Sequence, residues 1–257
     1  MRIAVLGAGK MGSWFARTVS ADNETAVYDT NPAKLHNLKG VRVLTELEHI
    51  GRFNPELLIN AVSLQHTTTG FEQVAQYISP GCILCDITSI KAELEEYYRT
   101  SLFRFVSLHP MFGPTFADMA SLSEEAVIIM NESDREGAQF FTRLFEGLGA
   151  RIFWSDFAKH DEMMAYSLTL PFVSSMAFAA CVNGKAVPGT TFARHRSVAR
   201  GLLSEDDQLL AEILFNSYSV AQVEQITARL EHLKHIIKGR DYEELEKFLN
   251  RLRDNLP

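Results

Sequence analysis

The sequence predicts an α/β protein, with a doubly wound parallel sheet in its N-terminal half and an all-helical C-terminal region. Three observations carry that expectation. The apolar run Ile3-Ala4-Val5-Leu6 leads straight into Gly7-Ala8-Gly9-Lys10-Met11-Gly12. Short apolar runs then alternate with helical patterns as far as Trp154. Beyond Trp154 the strand signals stop.

Residues 2–6 read as a short buried strand, and Met11, Trp14, Phe15 and Val19 follow at helical spacing. The strand before and the helix after turn a weak G-x-G-x-x-G pattern into a dinucleotide fingerprint, the mark of a Rossmann domain. The helix N-terminus supplies free N–H groups and partial positive charge for a pyrophosphate. The expected cofactor-binding residues are therefore Gly7, Gly9, Lys10, Met11 and Gly12, with Ser63 on a later loop. A second strand, residues 25–28, ends at Asp29, about 20 residues on, where an acid receives the ribose hydroxyls. Its charge repels a 2′-phosphate and no arginine follows directly, so NAD is expected rather than NADP.

The alternation continues. Residues 57–62 form a strand that ends in a polar loop, and residues 71–77 are helical. Residues 82–87 form a strand ending at Thr88-Ser89-Ile90-Lys91, and residues 93–98 are helical. The next strand, with Phe103, Phe105, Val106 and Leu108, stops at His109, because Pro110, Gly113 and Pro114 oppose its continuation. Ligands bind at the carboxyl ends of strands in open α/β sheets. An imidazole there titrates near neutral pH and can move a proton. The plainer alternative is a histidine that only braces its loop. A strand at 126–130, a helix over 134–148 and a strand at 151–154 complete a dinucleotide domain expected to span residues 1–155.

Residues 156–257 are expected to form a helical domain for substrate and dimerisation, with loops around 183–188 and 203–207. Val223, Ile226, Leu230, Leu233 and Ile237 predict a helix whose stripe is buried against another helix. Gly239 is its expected stop, and Asp241 with Glu244 makes a capping-box-like start for the last helix. A small helical domain commonly buries remaining stripes in a twofold partner, so a homodimer is expected. Arg194, Arg196 and Arg200 cluster around His195, either as a solvated face or as a holder for an anionic substrate.

The 257 residues carry a formal charge of −7, with 46% hydrophobic and 22% charged residues. That balance argues against a generic nucleic-acid or anionic-membrane binder. No run approaches ~20 consecutive apolar residues, and the N-terminus does not read as a signal peptide. A cytoplasmic location is expected. Cys82 and Cys85 have C-x-x-C spacing inside a strand-like run, pointing to opposite faces, and no second Cys/His pair stands at zinc spacing. They read as buried thiols in a reducing compartment, with no metal; Cys181 is the third cysteine.

Gly7 to Gly12, Thr88-Ser89-Ile90-Lys91, His109-Pro110-Met111-Phe112-Gly113-Pro114 and His160-Asp161 together resemble the prephenate/arogenate dehydrogenase family of tyrosine biosynthesis. The resemblance implies NAD-dependent oxidative decarboxylation of prephenate to 4-hydroxyphenylpyruvate. By position, His109 matches the histidine that accepts the hydroxyl proton, and Ser89 the serine that orients it. The substrate-binding arginine falls at Arg194, with Arg196 second. Many members carry Ser-His-Leu-Pro-His where this chain has Leu168-Thr169-Leu170-Pro171-Phe172. Both histidines are absent, which leaves arogenate open as the substrate. Two further readings are another two-domain NAD(P)-dependent dehydrogenase and a non-catalytic dinucleotide-binding protein.

Overall fold

A computed structural model describes residues 1–36, 38–113, 117–119, 121–184 and 187–256. Pro114 of the His109 motif and residues 185–186 of the expected 183–188 loop lie outside them. Strands and helices alternate in the order β1 (Arg2–Leu6), α1 (Lys10–Val19), β2 (Glu24–Tyr28), β3 (Arg42–Leu44), α2 (His49–Phe53), β4 (Leu57–Asn60), α3 (Thr67–Ala75), β5 (Ile83–Asp86), α4 (Ala92–Thr100), β6 (Arg104–Pro110), β7 (Ala126–Met130), α5 (Arg135–Gly147) and β8 (Arg151–Ser155). Among the described residues they build one eight-stranded sheet ordered β3-β2-β1-β4-β5-β6-β7-β8. The strand order reverses at β1/β4, the switch point where doubly wound sheets bind ligands.

Period-two alternation divides the core between the two faces. Ile3, Val5, Val106 and Leu108 pack under α1 and α5, with Trp14, Phe15, Phe141 and Phe145. Ala4, Leu6, Leu58 and Leu84 face the other side, with Phe71, Leu94, Tyr98 and Phe157. Cys82 and Cys85 fall in different clusters, as their spacing requires.

Three details differ from the sequence expectation. First, β3 and α2 are additional short elements, too brief to show a period in the sequence. Second, β7 runs antiparallel to β6, so the sheet is parallel-dominated, not wholly parallel. A parallel return needs a crossover of a dozen or more residues, usually helical. Residues 111–125 hold no helix among those described, and the chain turns back beside β6 instead. Third, β6 does not stop at His109 but runs through Pro110, paired opposite Val127. The ladder resumes with the Met111 N–H donating to the Ala126 carbonyl at 2.9 Å, so the proline nitrogen costs the pairing little.

After β8 every regular element among the described residues is helical: α6 (Phe157–Met164), α7 (Leu170–Cys181), α8 (Thr190–Leu202), α9 (Asp207–Leu214), α10 (Ser219–Gly239) and α11 (Tyr242–Asp254). A π-helical turn, Ala165–Thr169, joins α6 to α7. It stands directly before Pro171, which cannot donate to the Ser167 carbonyl and whose ring would crowd it. The continuous helix Phe157–Cys181 has 25 residues and contains an 18-residue stretch of mean hydropathy 1.4, long and apolar enough to cross a membrane by those measures alone. That corrects the expectation of no such segment. Its first turn carries Lys159, His160, Asp161 and Glu162.

Within one chain much of the α10 stripe is uncovered: Leu230 is 57% and Ile237 64% exposed, while Ile236 is buried. The helix ends at Gly239, the expected stop, and Arg240 caps it in the left-handed conformation at φ 49°. Asp241 does cap α11, accepting from the Glu244 N–H at 3.0 Å.

Candidate active site

The glycine fingerprint forms the β1–α1 turn. Gly7 has φ +89°, and a Cβ there would stand 2.8 Å from the Ala61 carbonyl oxygen. A Cβ on Gly12 would overlap the Gly7 carbonyl, so α1 can pack this closely only without one. Gly9 is the opposite case: nothing lies within 4 Å of its Cβ position. That open side adjoins the first turn of α1, which has no side-chain cap and no acidic residue. Unused N–H groups, the helix dipole and open space fit a pyrophosphate. Asp29, at the tip of β2, accepts from the Ala8 N–H and the Asn31 N–H, each at 2.7 Å. These bonds fix its carboxylate beside the glycine turn, where ribose hydroxyls would be received. Lys34 Nζ stands 3.9 Å from it, a cation the sequence reading did not weigh. Lys10 is exposed and pairs with Glu205 at 3.6 Å. Met11 packs partly against the core. Ser63 is half-buried on the β4–α3 loop, where its carbonyl accepts from Thr67 Oγ1 at 3.3 Å.

His109 is 3% exposed. Its strand pairs with β5 only as far as Ser107, then with β7 from Leu108 onward. His109 therefore lies just past the end of β5, beside the loop that carries Ser89 and Lys91. Its Nδ1 is 3.0 Å from His160 Nε2, and His160 Nδ1 is 2.8 Å from Asp161 Oδ1. Burial, then His160 and Lys91, hold His109 well below the ordinary histidine range. That direction runs against the expectation of titration near neutral pH and favours the neutral ring. Burial likewise lowers His160, with Asp161 opposing.

Lys91 is the least expected member. Its ammonium is wholly buried, donating to Asp86 Oδ1 and to the Leu108 carbonyl, each at 2.5 Å. Its backbone N–H donates to Asp161 Oδ1 at 2.9 Å. One residue thus ties β5, β6 and α6 together around His109. Asp86 also accepts from Thr88 Oγ1 and Tyr98 Oη, both at 2.8 Å. Burial pulls Lys91 below the usual lysine value while Asp86 opposes. Asn216, between α9 and α10, donates to the Asp161 carbonyl at 2.7 Å.

Ser89 is half-buried on the same loop and makes no hydrogen bond to another described residue, leaving its hydroxyl free for a ligand. Arg194 and Arg196 lie exposed on α8. Arg194 lines a pocket of about 330 Å³ between α7 and α8, with Pro171, Phe178, His195 and Val198. Among the described residues, no hydrogen bond or ion pair joins either arginine to the His109 cluster. Cys82 and Cys85 are buried and Cys181 is exposed; burial pushes the Cys82 thiol up to about 12. Among the described residues, no group of three or more His, Cys, Asp or Glu is placed to hold a metal.

Sequence reasoning missed His160, Asp161, Lys91 and Asp86 as site residues. Signals were present: a His-Asp pair at the first helix of the helical half, and Asp86 and Lys91 bracketing a strand end with no solvated run around them.

A dinucleotide cradle on a Rossmann sheet and a buried histidine at a strand end define a nucleotide-binding protein of the dehydrogenase type. Residues 19–154 match the family model for the prephenate dehydrogenase nucleotide-binding domain, more than half of the chain. The chain belongs to that family. It is 22% identical over 262 residues to the T-protein of Haemophilus influenzae, covering 98% of this chain and 66% of that protein. The chain thus spans two thirds or less of the length of the curated relatives it matches. Its fold is that of prephenate dehydrogenase from Aquifex aeolicus, solved with hydroxyphenyl propionate and NAD+ (TM-score 0.82, 19% identity, 99% of this chain and 96% of that one). Synechocystis arogenate dehydrogenase is similar, at TM-score 0.75, 18% identity, and 99% and 98% coverage.

Proposed function

We propose that the protein catalyses NAD-dependent oxidative decarboxylation of prephenate to 4-hydroxyphenylpyruvate in tyrosine biosynthesis. In this reading residues 1–155 hold the dinucleotide and residues 156–257 hold substrate and form a cytoplasmic homodimer. The observation that carries it is His109: a buried, neutral imidazole at the end of β6, with Nδ1 engaged by His160. NAD, when bound, supplies the hydride acceptor. Gly7, Gly9, Lys10, Met11, Gly12 and Ser63 line its cradle, and Asp29 receives the adenosine ribose.

His109 Nε2 takes the proton of the ring hydroxyl as hydride leaves the carbon that bears it. Loss of the ring carboxylate as carbon dioxide returns an electron pair to that oxygen, and His109 gives the proton back. Aromatisation supplies the driving force, so the protein's task is alignment. Ser89 orients the hydroxyl. Arg194, with Arg196 second, clamps a substrate carboxylate.

The homodimer is supported by the exposed apolar residues of α7 and α10, and the small-molecule assignment by the acidic net charge of −7. Phe172 in place of a family histidine keeps arogenate as the second substrate to assay. Following NADH formation with prephenate and with arogenate tests the reading. Turnover of either assigns the substrate, whereas NAD binding with no turnover of both overturns the activity.

A further inference from the structure

Asp161, His160 and His109 form a hydrogen-bonded line whose direction follows from chemistry. An aspartate carboxylate only accepts, so His160 Nδ1, 2.8 Å from Asp161 Oδ1, must carry the proton. A neutral imidazole then has a bare Nε2. That nitrogen lies 3.0 Å from His109 Nδ1, which must donate to it. His109 Nδ1 is thereby protonated, and its Nε2 is left as the lone-pair nitrogen. Reversing the line would set two N–H groups, or an N–H-free nitrogen and a carboxylate, against each other.

We propose that His160 and Asp161 are positioning residues that fix His109 in the tautomer whose Nε2 is free to accept a proton. The geometry leaves little room for another state. Asp161 Oδ1 also accepts from the Lys91 N–H at 2.9 Å, and the Asp161 backbone carbonyl accepts from Asn216 Nδ2 at 2.7 Å, so the residue is held through both its side chain and its backbone. Lys91 Nζ donates to the Leu108 carbonyl, which sets the backbone immediately before His109. The charged and titratable groups around the pair are Lys91, Asp86 and Cys85 from β5 and its following loop, Tyr98 from α4, and Asp161 from α6. A second imidazole as the relay, in place of a carboxylate touching His109 directly, keeps negative charge one ring away from the proton acceptor. The same logic governs triads in which a carboxylate sets the imidazole tautomer without taking the proton.

The inference rests on reading His109 as the base, so its first test needs no substrate. Ring-nitrogen NMR of the whole protein labelled with 15N-histidine should find His109 protonated on Nδ1 and bare on Nε2 at neutral pH. His109 protonated on Nε2 overturns the proposal. In kinetics, His160→Gln places an oxygen near the former Nε2 and should keep both the tautomer and most of kcat. His160→Leu removes the acceptor and should lower kcat roughly 10- to 100-fold, the usual scale for orienting residues, with KM little changed. Equal kcat in the Gln and Leu variants also overturns it. If His160→Leu fails to fold, the tautomer of the unmodified protein still decides. The expected tautomer together with no turnover of prephenate or arogenate upholds the positioning role and overturns the substrate reading instead.

Discussion

The helix that runs from residue 157 to 181 has two unlike ends. At its start His160 is fully buried, both its ring nitrogens are hydrogen-bonded, and Asp161 is held by Lys91 and Asn216. Beyond the π turn, no residue of α7 is buried, although Leu170, Phe172, Val173, Met176 and Phe178 are apolar. A buried polar cluster persists only when its members are paired. An apolar face persists only when something covers it. The first condition is met within one chain and the second is not. The buried polar cluster is therefore completed within one chain, while the apolar face of α7 is left uncovered by the described residues.

Substitution at His109 should give the largest effect and breaks the comparison if it fails. His109→Asn keeps a hydrogen-bonding group but removes the base, and kcat should fall roughly 10²- to 10⁴-fold. Wild-type kcat in that variant would leave the buried cluster with no catalytic meaning. Acid dependence sharpens the point. Only the neutral ring accepts a proton, and burial holds its titration well below the usual range. The acid limb of kcat/KM should therefore lie below about 6.5, the ordinary histidine value. The unfolded chain takes up that proton first, so this histidine's contribution to stability is full above about 6.5 and is lost as pH falls toward the folded value. Thermal melts stepped from pH 7 downward should show that loss. A flat profile would mean that His109 binds its proton as readily in the fold as in the unfolded chain.

The next effect is on stability. Lys91 and Asp86 are an ion pair with no exposed side-chain surface. Lys91→Met removes one partner and strands the other, which typically costs about 3–5 kcal/mol. Denaturant unfolding measures it. By contrast Arg194→Ala, on an exposed helix, should leave unfolding nearly unchanged and raise KM more than it lowers kcat. If both variants are equally stable, the ion pair is not the brace described.

What the sequence made legible divides along the same line. The sheet half was readable because buried parallel strands are continuous apolar runs and the glycine turn is a local pattern. His109 was readable because an apolar run ended at it. His160, Asp161 and Lys91 stood in recognisable motifs, but their roles did not show, because those come from contacts made across 51 and 70 residues of chain, for which no local period exists. The antiparallel β7 was missed for a related reason: an isolated apolar run such as Ala126 to Met130 has the same pattern in either direction. In the helical half the α10 stripe was read as apolar and in need of a covering helix, and within one chain much of it stays exposed. Periodicity reports which residues need burial, not which molecule supplies it.

That distinction yields a smaller test. If a second copy covers α10, Leu230→Ser should weaken association by on the order of 2 kcal/mol, the threshold of an interface hot spot. Sedimentation at micromolar protein reads this as a shift from dimer toward monomer, with the His109 cluster unaffected in the remaining dimer. A monomeric wild type at that concentration removes the twofold partner altogether.

The smallest expected effect concerns the cofactor end of the sheet, where pairing is neither complete nor absent. Asp29 accepts from two backbone N–H groups, and Lys34 stands 3.9 Å away, beyond a direct hydrogen bond. The carboxylate keeps lone pairs for the ribose hydroxyls, and its charge opposes a 2′-phosphate. NAD should therefore be preferred over NADP by about tenfold in kcat/KM, equivalent to about 1.4 kcal/mol. Asp29→Ser removes the repulsion and leaves Lys34 uncompensated, a cation placed to meet a phosphate. The preference should then shrink toward parity, chiefly through better use of NADP. Equal use of both cofactors by the unmodified protein would mean that Lys34 already cancels Asp29. The nearby ammonium, and not the carboxylate, would then be the residue that sets cofactor choice.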